Sequence, residues 1–191
     1  MTEDDDGSGA GVVVGRCEDT SGEGADAKGN EVILLALPVS VTYQEQGSNG
    51  LTVEAASAAP GIFTQTSSGV GPGAILNQDY TLNGPANPAA RGSTVTIFMT
   101  GEGQTSPSGV DGWVTVTSSV GPITPGPVLP VSATLADQPA FVQFAGEAPG
   151  IVSGVLQVNL QIPANAPTGN LAIVVSIGNI KSQAGVTVSV Q

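Results

Sequence analysis

Residues Val155 to Gln191 read VLQVNLQIPANAPTGNLAIVVSIGNIKSQAGVTVSVQ. Three apolar-rich runs stand out in it, Val155–Ile162, Leu171–Ile177 and Gly185–Val190. Pro163, Pro167 and Gly169 break the first gap, and Gly178 and Asn179 open the second. Alternating runs of β-branched residues between such breakers predict strands joined by turns. Part of this stretch occurs twice. LPVSVTYQEQGSNGLTV (37–53) aligns with LAIVVSIGNIKSQAGVTV (171–188), with Val41-Thr42-Tyr43 on Val175-Ser176-Ile177. After a one-residue gap, Leu51-Thr52-Val53 falls on Val186-Thr187-Val188. A second echo is Ala59-Pro60-Gly61-Ile62, which recurs as Ala148-Pro149-Gly150-Ile151. A repeated supersecondary unit is an architectural signal. The competing reading is two β hairpins of common composition that look alike by chance.

Working outward, the chain of 191 residues carries 27 Gly and 14 Pro, with charged residues at 10% and aromatics at 4%. Gly and Pro punctuate strands and disfavour long helices, and no long segment shows helical apolar spacing. The reading is therefore all-β. Ser93–Thr100 alternates Val95, Ile97 and Met99 against Thr94, Thr96 and Phe98. Further strands are expected at Trp113–Thr117, Val131–Leu135 and Ala140–Phe144, with Trp113 as a core aromatic. Between them, Ser118–Pro130 holds four prolines and reads as a loop or edge crossing. Roughly seven or eight strands over residues 58–191 fit an immunoglobulin-like antiparallel β-sandwich. The paired cysteines of antibody domains are missing.

The N-terminal part differs. Residues 1–30 are acidic and Gly-rich, a composition that disfavours a packed core. They are interrupted by Ala10-Gly-Val-Val-Val-Gly15, where Val12, Val13 and Val14 form either a short strand or a loosely attached edge. Residues 31–57 read as an incomplete β domain, a hairpin over Glu31–Val53 with its turn at Gly47-Ser48-Asn49-Gly50. Pro38 inside the apolar run marks an edge, a bulge or a break.

Charge and composition exclude several functions. The net charge is −12, and four basic residues cannot track a phosphate backbone, so no nucleic acid partner is expected. Val32–Leu37 is too short to span a bilayer, and no membrane insertion is expected. The start Met1-Thr-Glu-Asp-Asp-Asp lacks the basic and apolar regions of a signal peptide. A processed chain or an unusual export route is the expectation, and the Lys-poor, Ser/Thr/Gly-rich composition points to an extracellular or cell-surface location. Cys17 is the only cysteine, so it is free or joins two chains.

Catalysis lacks its usual parts. The chain has no His, which removes imidazole bases and Ser-His-Asp arrangements. Glu102, Asp111, Asp137 and Glu147 are candidate carboxylates, but no spacing pairs them as a glycosidase would need. Asp4-Asp5-Asp6-Gly7-Ser8-Gly9 lacks the later Glu of a calcium loop and reads as a solvated tail. Gly71-Pro-Gly73 and Gly101-Glu-Gly103 read as turns, and Arg91 as a structural clip on loop carbonyls or an acid. No catalytic residue, cofactor or metal site is expected, and the chain is read as a non-enzyme.

Several motifs carry a resemblance. They are Ala59-Pro-Gly-Ile-Phe63, Gly73-Ala-Ile-Leu-Asn77, Leu82-Asn-Gly-Pro-Ala-Asn-Pro-Ala-Ala-Arg-Gly92, Ser93–Gly101, Ala148–Ile151, Leu156–Ala164 and Pro167-Thr-Gly169. Together, over about Leu37 to Gln191, they resemble an uncharacterised C-terminal domain family abundant in secreted acidobacterial proteins of the Solibacter type. The resemblance implies tandem immunoglobulin-like β domains in extracellular proteins, and it supplies no catalytic residues. In that family a whole β domain precedes the Ala-Pro-Gly-Ile-Phe junction. Here only its last hairpin is recognisable.

An incomplete β domain exposes unpaired main-chain groups that another strand can satisfy. The functional expectation is therefore a structural subunit of an extracellular filament or surface assembly, joined to its own copies by strand complementation. Val12, Val13 and Val14 would be the donor, and Val32, Ile33, Leu34 and Leu35 would take part in assembly. The alternative is a monomeric cell-surface adhesion or carbohydrate-binding module using the loops Gly69–Gly92 and Gly101–Gly112. A third reading is an accessory domain that stabilises a catalytic partner.

Overall fold

A computed structural model describes residues 22–25, 31–34, 36–43, 46–110, 112–115 and 124–191. Among these residues there is no helix, and the protein is all-β. The chain divides into two compact units, Met1–Ala56 and Ser57–Gln191.

The first unit is built from paired short strands. Antiparallel β1 (Gly22–Ala25) and β2 (Glu31–Leu34) form one pair. A second, nested hairpin has β3 (Ala36–Val39) on β6 (Leu51–Glu54) outside, and β4 (Thr42–Tyr43) on β5 (Gln46–Gly47) inside. The reversal lies between Tyr43 and Gln46, not at the expected Gly47–Gly50. The reason is a register slip. Val39 faces Leu51, but the amide of Ser48 bonds the carbonyl of Val41, so one residue too many lies between Ser48 and Leu51. Asn49-Gly50 thus serves as a β-bulge, the other local role that such residues fill.

The second unit begins with β7 (Gly61–Ile62), β8 (Gly71–Pro72), β9 (Ile75–Leu76) and β10 (Thr94–Thr100). The short pair β11 (Thr105–Ser106) and β12 (Gly126–Pro127) follows. Next come β13 (Val131–Leu135), β14 (Gln138–Glu147), β15 (Leu156–Gln161), β16 (Gly169–Ile177), β17 (Ile180–Lys181) and β18 (Val186–Val190). The hydrogen-bonded order is β7-β10-β15-β14-β13-β16-β18-β8, all antiparallel except β18 with β8. The path then closes. Thr64 bridges Gly73, and the amide of Ala74 bonds the carbonyl of Phe63, so the chain after β7 pairs with the chain around β8. Every long strand therefore has a neighbour on both sides, which leaves no long free edge among the described residues of this unit.

The ring encloses one apolar interior. Val95, Ile97 and Met99 on β10, Leu156, Val158 and Leu160 on β15, Leu171, Ile173, Val175 and Ile177 on β16, and Val186, Val188 and Val190 on β18 share it. Each set is spaced by two, so one face of every strand turns inward in a two-layer, sandwich-like arrangement. Each such side chain contributes about 1.5–3 kcal/mol on burial. The apolar residues of this interior are aliphatic apart from Met99, and no described aromatic is buried. Trp113, expected in the core, is 59% exposed. The physical reason is local: among the described residues Val114 makes a single bridge to Val152, so no described buried strand carries the indole inward. The Asn-rich loop before β10 is pinned instead by amides. Asn83 donates to Asn77 Oδ1 and to the carbonyl of Ser189, each at 2.9 Å. Arg91 Nε donates to the carbonyl of Ala166 at 2.5 Å, the clip expected of it.

Candidate functional site

Of the residues expected to take part in assembly, Val12, Val13, Val14 and Leu35 lie outside the described residues. Val32, Ile33 and Leu34 lie in β2, where β1 is their partner: Val32 faces Gly24 and Ile33 faces Glu23.

The hairpin of the first unit and the closing hairpin of the second pair matching residues. Leu37 faces Val53 and Pro38 faces Thr52, as Leu171 faces Val188 and Ala172 faces Thr187. In the inner pair, Thr42 faces Gly47 and Tyr43 faces Gln46, as Ser176 faces Lys181 and Ile177 faces Ile180. Between outer and inner pairs the same serine device appears. Ser48 Oγ accepts from the amide of Val41 at 3.0 Å, and the Ser48 amide bonds the Val41 carbonyl at 2.8 Å. Ser182 Oγ accepts from the amide of Val175 at 3.1 Å, and the Ser182 amide bonds the Val175 carbonyl at 2.8 Å. The matching pairs and the shared serine bond mark the aligned segments as a structural repeat, although the slip between outer and inner pairs is one residue in the first hairpin and two in the second. The second echo is not: Gly61 lies in strand β7, whereas Gly150 sits in a turn at φ 78°.

The two hairpins differ in what covers them. Val175, Val186 and Val188 are fully buried. Their counterparts Val41, Leu51 and Val53 are 48%, 65% and 38% exposed and share one face by strand alternation. The edges differ as well. In the second unit Ala172 presents its carbonyl to the amide of Ala136, and Thr187 presents its carbonyl to the amide of Gly73. By the common register, Pro38 and Thr52 turn their main-chain groups out of the hairpin. Pro38 has no N–H to offer, so the outer edge of β3 is blunted. The outer edge of β6 keeps its groups, and no described strand pairs with it.

A second site lies in the second unit. Glu102 follows β10 within Gly101-Glu102-Gly103, and both glycines hold positive φ, 79° and 75°. A Cβ on Gly101 would fall 1.8 Å from the Ala59 carbonyl oxygen, and on Gly103 2.1 Å from that of Ser57. The turn is therefore restricted to glycine on both sides, and it directs Glu102 inward. Glu147 ends β14. Its Oε2 accepts from Thr115 Oγ1 at 2.7 Å, and its Oε1 accepts from Ser153 Oγ. Glu102 and Glu147 are only 6% and 3% exposed and line one cleft of about 480 Å³ with Gln104, Thr105, Gly109 and Ser153. Glu102 Oε2 is buried without a hydrogen-bond partner. Burial, then the neighbouring Glu147 carboxylate, pushes the Glu102 carboxyl up to about 7.

The sequence listed both carboxylates but did not pair them. They lie 45 positions apart, and only the return of β14 beside the end of β10 joins them through β15. Two signals were available: a glutamate between two glycines, and a glutamate at the end of a β run. No family model, curated protein or solved structure matches the chain.

Proposed function

We propose that this protein is a structural subunit of an extracellular filament or surface assembly, whose copies join by β-strand complementation at the first unit. One observation carries the reading: Val41, Leu51 and Val53 are exposed in a hairpin whose counterpart buries the matching residues. A hairpin of this pattern is stable as part of a sheet with a covered face, and an incoming strand supplies both cover and main-chain partners. The acceptor edge is that of β6. The second unit provides the template, since β8 runs parallel to β18 and donates the Gly71 and Gly73 amides to the carbonyls of Gly185 and Thr187. The donor strand is Val12–Val14 of a second copy, bonding the carbonyls of Gly50 and Thr52. Head-to-tail contacts of this kind are heterologous and build open filaments. The strand order, with β7, β10, β15 and β14 in succession and β13, β16 and β18 after them, supports an immunoglobulin-like sandwich as the rigid body of each subunit. The family resemblance supports the secreted setting.

The test is negative-stain electron microscopy with light scattering on the whole chain, on a chain lacking residues 1–15, and on Thr52→Pro. The expected outcome is filaments from the first and monomers from the other two. Filaments that survive both changes would overturn the proposal.

A second reading, a monomeric carbohydrate-binding or adhesion module, gains from the exposure of Trp113, whose carbonyl accepts from the Ser153 amide beside the acidic cleft. An exposed indole is a stacking surface for a sugar face. A glycan array separates the two, because loss of hits in Trp113→Ala is expected only of the module.

A further inference from the structure

We propose that the cleft between Glu102 and Glu147 binds a divalent cation of the calcium class, with both carboxylates as ligands. The inference is independent of the assembly reading, and it departs from the sequence expectation of no metal.

Two carboxylates withdrawn from water into one cleft need positive charge nearby, because a buried anion without a partner carries a large desolvation cost. Among the described residues, no side chain lining the cleft supplies it. None of the described residues lining the cleft is basic, and the chain holds only four basic residues in all. Of these, Arg91 is committed to the Ala166 carbonyl. Glu147 already accepts two hydroxyl bonds, from Thr115 and Ser153. Glu102 Oε2 accepts none, although its residue is only 6% exposed and lines the cleft. That oxygen is the buried, unpartnered atom that a cation would engage.

The donor set specifies the ion. Around the cleft stand Glu102, Glu147, Ser153, Thr105 and Gln104, which offer oxygen donors and no imidazole or thiolate. Oxygen-only donors suit hard cations and disfavour zinc. The set comes from separate chain segments, and the cleft leaves room for water, which suits the larger and less demanding shell of calcium over the octahedron of magnesium. Among the described residues no third acidic side chain joins the pair. The expected affinity is therefore that of extracellular modules, a Kd of about 10⁻⁴–10⁻³ M. Gly109 keeps the space open, since a Cβ there would lie 2.5 Å from Glu147 Oε1 and 2.6 Å from Ser153 Oγ.

The experiment is isothermal titration of chelator-treated full-length chain with calcium chloride at about pH 8, above the raised value of the Glu102 carboxyl. It is repeated on Glu102→Gln and on a tail variant, Asp4→Asn with Asp5→Asn and Asp6→Asn. The proposal expects saturable binding of one ion, kept in the tail variant and weakened about tenfold or more in Glu102→Gln. No saturable binding, binding unchanged in Glu102→Gln, or binding lost with the tail acids would each overturn it. Circular dichroism checks that Glu102→Gln folds. If it does not, Gly109→Ala takes its place, with the same loss expected and unchanged affinity as the overturning result.

Discussion

The hairpin of residues 36–54 and the hairpin of residues 169–190 pair matching residues, make the same Val-to-Ser bonds and have opposite surroundings. One lies inside a closed ring of strands, and the other presents its apolar row to solvent. Local sequence therefore sets pairing, slip and turn, while neighbours set burial. The same valine pattern is a core in one place and an unfilled surface in the other. A pattern that asks for cover without receiving it from described residues is the physical basis of the assembly proposal.

The contrast can be broken most directly by placing a charge at matched positions. Val188→Asp is expected to unfold the second unit, at a cost above about 4 kcal/mol, because the carboxylate enters a sealed apolar interior. Val53→Asp is expected to change monomer stability by less than about 1 kcal/mol and to stop assembly. Scanning calorimetry measures both, and similar costs at the two sites would end the distinction between covered and uncovered hairpins. Proline at the paired edges comes next. Thr187→Pro removes an amide from the β8 edge and is expected to cost about 3 kcal/mol. Thr52→Pro is expected to leave urea unfolding of the monomer within about 0.5 kcal/mol, since its outward amide bonds no described strand.

A pH titration sharpens the division between units. The Glu102 carboxyl is raised to about 7 in the fold, from 4.5. The unfolded chain ionises first, so it is favoured as pH rises between those values, and the contribution present below pH 4.5 is lost by pH 7. In metal-free protein this amounts to about 3 kcal/mol at most. Glu102→Gln is expected to remove that slope from the melting of the second unit and leave the first unit unchanged. A wild-type slope that persists in the variant would assign the effect to other carboxylates. The smallest expected difference concerns the two serines. Ser182→Ala strands a buried Val175 amide, at about 1–3 kcal/mol. Ser48→Ala leaves the Val41 amide to water, at about 0.5 kcal/mol or less.

What the sequence revealed follows from the range of the forces involved. Strand β13 matches the expected Val131–Leu135, and β10 begins one residue inside Ser93–Thr100, because alternation and turn residues act over a few positions. The repeat was legible for the same reason, down to Val41 on Val175. Three features were not. The bulge at Asn49-Gly50 looked like a turn, since the same residues serve both. Trp113 was assigned to the core by its size, but its segment only touches the rim. The Glu102–Glu147 pair depends on which strands become neighbours, and that is settled by the whole apolar interior.

The aliphatic interior has a practical consequence for every measurement proposed above. The chain's single tryptophan is already largely in water when folded, and no described aromatic is fully buried. Unfolding then changes the surroundings of its one strong fluorophore very little. Emission maxima and dye-free fluorescence melts are expected to stay nearly flat through a transition that calorimetry and far-ultraviolet dichroism record in full. A silent fluorescence trace from this protein is a property of where its indole sits and carries no information about whether the chain has folded.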